Sequence, residues 1–196
     1  MTLSYDPLQV LMEEHQVFLA RVESFREAWR QTTKLSPASP ALAGEAAQFA
    51  VFLARDVDEF HAAKEERALF PVLERRRSAE ESSLGHMRDD HESLRALQRS
   101  MGKMSSQLDA DPGAPEPIRR IARIAESIET LLSQHVIKED FVLFPMAQDV
   151  LSRRDMLEVA RRCQGIEQAY RERYGVNPGL LLTAPEALHS PLAAPL

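Results

Sequence analysis

Cysteine is nearly absent from this 196-residue chain: Cys163 stands alone. No intramolecular disulfide can form, and the usage fits a reducing compartment such as the cytoplasm. Its setting, after an arginine pair on a helical stretch, reads as that of an ordinary helix residue. Long apolar runs are missing as well. Nothing approaches the roughly 18 consecutive apolar residues of a membrane span. The opening MTLSYDPLQV lacks the apolar core of a secretory signal, so neither a membrane partner nor export is expected. Basic charge is in deficit, with a net charge of −6. That balance excludes nucleic acid as a main partner, because phosphate binding needs a basic surface. The run Arg75-Arg76-Arg77 reads instead as a charge cluster favourable at the C-terminal end of a helix. Strand patterning is missing throughout.

What remains is helix, in five segments. The first opens at Asp6-Pro7, a cap residue followed by the residue best suited to the first helical position, and runs to about Thr33. Leu8, Leu11, His15, Phe18, Leu19, Val22 and Phe25 share one of its faces. A second runs from near Pro40 to the Leu69-Phe70-Pro71 step and, kinked there, on to Arg77. The third begins near Ser82 and carries Leu84, Met87, His91, Leu94, Leu97, Met101 and Leu108. The breaker DADPGAPEP (109–117) separates it from a fourth, from about Pro117 to Phe144, with Ile128, Leu132, His135, Glu139, Val142 and Leu143 inward. A fifth covers about Ser152–Arg173 with Met156, Leu157, Val159 and Tyr170. Long amphipathic helices on short connections predict an all-α, up-down-up-down four-helix bundle over residues 1–150. An accessory helix (151–173) and an irregular Pro-rich tail (174–196) follow.

One phrase occurs twice. Residues 61–73 read HAAKEERALFPVL and residues 135–147, 74 positions later, read HVIKEDFVLFPMA. Upstream, Glu13-Glu14-His15 is answered by Asp89-Asp90-His91. His15 lies 46 residues before His61, and His91 lies 44 before His135. On a helix, residues four apart differ by about 40° and about 6 Å, so His61 with Glu65, and His135 with Glu139, point the same way. All six side chains sit on apolar stripes, where an ionised Glu without a partner is costly and a cation compensates it. Four imidazoles and two bridging carboxylates leave open positions on a pair of six-coordinate ions, and open sites react. Zinc favours closed, cysteine-rich sites and calcium all-oxygen ones. The mixed set suits iron first and manganese next.

Each piece alone has a bland structural explanation; two copies with matching upstream histidines do not. His86 lies five residues before His91, about 140° around the helix, so both cannot point inward on a regular helix. It is read as exposed or adjacent to the ligands, and His189 as a tail residue. Of Glu13, Glu14, Asp89 and Asp90, one or two would hold imidazole tautomers and the rest would face water. Removing the metal should leave two neighbouring carboxylates, one of which takes up a proton.

The repeated His…His-x-x-x-Glu plan, with Leu-Phe-Pro after each Glu, resembles the hemerythrin-like family, the HHE cation-binding domains, over roughly residues 5–150. The resemblance implies a non-haem di-iron centre, two oxo- or hydroxo-bridged irons per chain. His15, His61, His91 and His135 would be terminal ligands, with Glu65 and Glu139 bridging. Oxygen-carrying hemerythrins use five histidines, two on the third helix, and an Asp at longer spacing on the fourth. This chain is closer to the bacterial branch linked to oxygen, nitric oxide or peroxide response and to iron-centre repair. The expectation is a protein that binds or responds to a small diatomic ligand or peroxide. The alternatives are an enzyme that turns over peroxide or nitric oxide, and an iron-centre repair protein. Candidate proton donors for an enzyme are few: Tyr5, Asp58 and Glu14.

Overall fold

Asp6 and Pro7 start the first helix in the manner their chemistry dictates. Asp6 Oδ1 accepts from the backbone N–H of Leu8 at 3.1 Å, and Pro7 takes the first helical position, where a missing N–H costs nothing. The computed structural model describes residues 5–35, 39, 41–76 and 81–175, and among these there is no strand. Helix α1 is Pro7–Leu35. Helix α2 runs without a break over residues 41–76: α-turns at Ala41–Phe52 and Phe70–Arg76 flank π-helical segments at Leu53–Ala62 and Glu65–Leu69. Helix α3 is Glu81–Ala110. Helix α4 covers residues 115–150, as Pro115–Lys138, a π segment at Glu139–Leu143, and Phe144–Val150. Helix α5 is Arg153–Tyr174. The tail beyond Gly175, with His189, and Arg77 lie outside the described residues.

The four long helices form the expected bundle, α2 packing on α3, α3 on α4 and α4 on α1. Its interior divides into two apolar clusters. One gathers Phe18, Val22, Trp29, Phe49, Met101, Ile121 and Ile128. The other gathers Leu8, Leu11, Leu69, Phe70, Leu73, Phe144 and Val159 from the opposite end. Burying each such side chain contributes about 1.5–3 kcal/mol. The repeated histidines fall on the layer between the two clusters: His15 lies between Leu11 and Phe18, and His61 between Val57 and Leu69.

One boundary differs from the sequence expectation, for a local reason. Helix α4 passes through Leu143-Phe144-Pro145 and ends at Val150 rather than Phe144. The π segments Glu65–Leu69 and Glu139–Leu143 stand at matching places in the repeat and end just before Phe-Pro. Proline cannot complete an i→i−4 bond, and a π turn re-phases the ladder ahead of it so that the helix continues. The same extra residue rotates the turns beyond it. Val142, expected inward, is 65% exposed, while Leu143 and Phe144 are buried. Leu157 is exposed on α5.

Helix α5 is fixed by specific ends and clamps. Ser152 and Asp155 form a reciprocal capping box, and Gly175 closes the helix in the left-handed region at φ 66°. Arg76 makes a two-pronged contact to Asp155 at 3.0 and 2.8 Å, and Arg75 reaches Glu158 at 2.7 Å. Two members of the arginine run therefore hold α5 against α2. Cys163, on the inner face of this helix, is fully buried, and burial pushes its thiol up to about 12, which leaves it inert as a nucleophile.

Candidate metal centre

Each bundle helix sends one histidine into the layer between the clusters, and none of the four is more than 3% exposed: His15 from α1, His61 from α2, His91 from α3 and His135 from α4. Glu65 and Glu139, fully buried, follow His61 and His135 by one turn. Their carboxylates lie in the middle. Glu139 Oε2 is 3.2 Å from Nε2 of both His15 and His135. Glu65 places Oε2 3.2 Å from His91 Nε2 and Oε1 3.4 Å from His61 Nε2. The imidazoles meet in pairs, His15 with His61 at 3.0 Å and His91 with His135 at 3.1 Å between Nε2 atoms. Two overlapping donor groups result. One is His15, His61, Glu65 and Glu139; the other is Glu65, His91, His135 and Glu139; within each, one donor atom per residue lies inside 4.8 Å of the others. Both carboxylates belong to both groups. His86 is exposed on α3 and belongs to neither.

Outside this ring stands a second one of acids. Each imidazole Nδ1–H donates to a carboxylate: His15 to Asp140 at 2.8 Å, His61 to Glu14 at 2.9 Å, His91 to Glu66 at 2.7 Å and His135 to Asp90 at 3.3 Å. The arrangement follows the repeat. The acid before the first histidine of each half (Glu14, Asp90) serves the second histidine of the same half. The acid after each glutamate (Glu66, Asp140) serves the first histidine of the other half. Carboxylates only accept, so they keep the proton on Nδ1 and turn the bare Nε2 lone pair inward, the tautomer a metal ligand needs.

None of the four carboxylate oxygens of Glu65 and Glu139 has a hydrogen-bond donor. Two buried carboxylates without donors, faced by imidazole lone pairs, form an arrangement that only cations stabilise: metal ions or protons. Without metal, protons fill that role. Burial opposes an imidazolium at His15, yet Asp140 and Glu139 outweigh it and raise its pKa to about 10. Burial likewise opposes the charge on His91, and Glu65 and Glu66 overcome it, again to about 10. Glu65 is held well below the usual carboxylate range despite its burial, by His61 and His91. Here the sequence expectation is corrected: the compensating protons reside on imidazoles, because four of them crowd the carboxylates, and not on Glu65.

The lysine of each repeat has a role that its position in the sequence does not announce. Lys64 Nζ pairs with Glu14, and Lys138 Nζ with Asp90 at 2.5 Å, so each lysine braces the acid that orients a histidine. Sequence reasoning misses Glu66 and Asp140 too. The recurrence of Lys-Glu-acid at both sites is the signal that could have found them. The halves differ in one respect. Lys64 is fully buried, with Nζ 3.9 Å from the Phe60 ring centroid and 3.4 Å from Glu167 of α5, whereas the Lys138 side chain is 43% exposed. Lys64→Ala should therefore lower unfolding stability by about 3–5 kcal/mol, since it strands the buried Glu14 carboxylate, and Lys138→Ala by at most about 1 kcal/mol. Urea denaturation of the two variants checks this; equal losses would contradict it.

No described helix is long and apolar enough to cross a membrane. The chain matches the family model of the Hemerythrin HHE cation binding domain over residues 6–147. No curated protein and no solved structure gives a significant match. The chain belongs to the hemerythrin HHE cation-binding family.

Proposed function

We propose that this hemerythrin HHE family member holds two iron ions, with manganese as the nearest substitute. His15 and His61 would bind one, His91 and His135 the other, and Glu65 and Glu139 both. The observation that carries the reading is the set of four buried carboxylate oxygens without donors, shared by two His-pair groups. Mixed imidazole and carboxylate donors suit iron and manganese better than zinc or calcium. When bound, such a pair supplies open positions and electrons for dioxygen, nitric oxide or peroxide.

The protein's own residues favour binding and response over turnover. The acids around the site are committed to holding imidazoles. Of the three candidate proton donors, Glu14 accepts from His61 and Lys64, Asp58 accepts from Arg95 at 2.8 Å, and Tyr5 donates to Glu167 at 2.6 Å. A catalyst that protonates a reduced ligand repeatedly needs a donor free to move. We therefore read the protein as a binder of, or responder to, a small oxidant or diatomic gas.

Chain expressed with iron supplementation should contain close to two irons by elemental analysis; a value near zero would sink the proposal. His91→Ala should lose iron while His86→Ala keeps it, and the reverse pattern would reassign the third-helix ligand. Stopped-flow mixing of the reduced protein with dioxygen, nitric oxide and peroxide in turn should give a stable, reversible adduct with at least one of them. Many turnovers of peroxide or nitric oxide without loss of iron would instead establish an enzyme.

A further inference from the structure

The two halves of the repeat are not equivalent in how the site meets the outside. A small pocket between α2 and α3 has buried Val57, Ala62, Leu94 and His91 in its lining. It offers about 20 Å³ of room for the centre of a water-sized molecule. A water needs about 10–15 Å³ by this measure, so the pocket takes one very small molecule. Its wall on α2 is the π segment Leu53–Ala62. In a π turn residues five apart stack, which sets Leu53 over Asp58 and Val57 over Ala62; on an α-helix they would diverge by about 140°. The stretch of the second half at the same steps around its histidine is regular α-helix within Pro115–Lys138. It carries buried Ile128, Leu132 and Val136 where the first half has Ala54, Asp58 and Ala62. Three residues after the first histidine, Leu94 in the pocket answers Phe18, whose ring packs edge-on to His61 at 5.1 Å.

Arg95 lines the pocket on its partly exposed side, with Asp58 and Gln98. Its guanidinium donates to Asp58 and Glu66, both at 2.8 Å, and the Glu66 oxygen it uses also accepts from His91 Nδ1. The Arg95 side chain is thus tied to the carboxylate that holds His91.

We propose that this pocket is the entry and holding site for a neutral diatomic gas, dioxygen or nitric oxide, which approaches the centre from the His91 side, with Arg95 as the gate. The apolar wall of Leu53, Ala54, Val57, Ala62 and Leu94 welcomes a molecule with little hydration to lose, and disfavours an anion. The assignment rests on the di-iron reading for what the gas meets, but not for the pocket itself.

The test has two arms. In the full-length chain loaded with zinc, or metal-free if zinc does not bind, dissolved dioxygen should speed the relaxation of the Ala62, Val57 and Leu94 methyls more than that of the comparably buried Val136, Leu84 and Leu151, which do not line the pocket. Equal effects would overturn the pocket assignment. In the iron-loaded chain, Ala62→Val, which installs the residue of the other half, should slow association of nitric oxide by about tenfold, and Arg95→Leu should speed it severalfold. Iron content serves as the control in both variants. Unchanged rates at unchanged iron content would overturn the entry route and leave the di-iron reading intact. Enhanced methyl relaxation in a chain that takes up no iron would uphold the pocket as a gas site while the di-iron reading fell.

Discussion

A chain with Glu65 replaced by Ala is expected to lose both ions, not one. Glu65 and Glu139 each belong to both donor groups, whereas each histidine belongs to a single group. Orienting residues alone change metal affinity by about 10–100-fold, and loss of a direct, shared carboxylate should exceed that. His15→Ala removes an imidazole from one group and leaves the other complete, so it should retain roughly half the iron. Elemental analysis after gel filtration distinguishes the cases. If Glu65→Ala and His15→Ala retain equal amounts, the carboxylates do not bridge and the two-ion arrangement is wrong. Glu139→Ala should copy Glu65→Ala, because the geometry repeats across the two halves.

Metal removal should invert the protein's response to pH. In the metal-free form the imidazoles of His15 and His91 are raised to about 10, against about 6.5 in an unfolded chain. A group raised on folding stabilises fully below its unfolded value and loses that effect as pH climbs through its folded value. Each of these histidines therefore adds stability below about pH 6.5 that declines by about 1.4 kcal/mol per pH unit up to about 10. Glu65 works in the opposite sense: its depressed pKa stabilises above about pH 4.3, and the effect is lost only on stronger acidification. Metal-free protein should be most heat-resistant between about pH 4.5 and 6.5, and its Tm should fall by about 10–20 °C by pH 8.5. Loaded protein needs neutral imidazoles, so protons compete with metal and its Tm should fall on acidification instead. Thermal melts of both forms from pH 5 to pH 9 decide the matter. A metal-free Tm that rises between pH 6 and pH 9 would show that the imidazoles are not the proton carriers.

The helices, and which residues would converge, were legible because both rest on local spacing. Leu8, Leu11, His15, Phe18 and Val22 recur at helical steps, and four of them are apolar, so burying one face of α1 brings His15 inward whatever the partner helix. Proline at Leu143-Phe144-Pro145 misleads, since a break is its ordinary effect. The π turn that rescues α4 depends on hydrogen bonds and neighbours that the local sequence does not announce. The acid ring was half legible. Glu14 and Asp90 stand beside ligands in the chain and are recognisable as braces, but Asp140 reaching from α4 to His15 on α1 is a contact between residues 125 apart. Spacing along one helix says nothing about which side chain a neighbouring helix will offer.

By itself, then, the sequence determined an all-α bundle with a duplicated pair of histidine-bearing faces, because amphipathic period and repeat are properties of the chain alone. Only the tertiary structure decided that Glu65 and Glu139 meet both histidine pairs, that each Nδ1 finds an acid on another helix, and that the halves differ. Helix α5 covers Lys64 and leaves Lys138 in water, and the long π segment opens a pocket beside His91. Those outcomes depend on which helix lies against which, and the free energy that sets them is shared among side chains far apart in the chain.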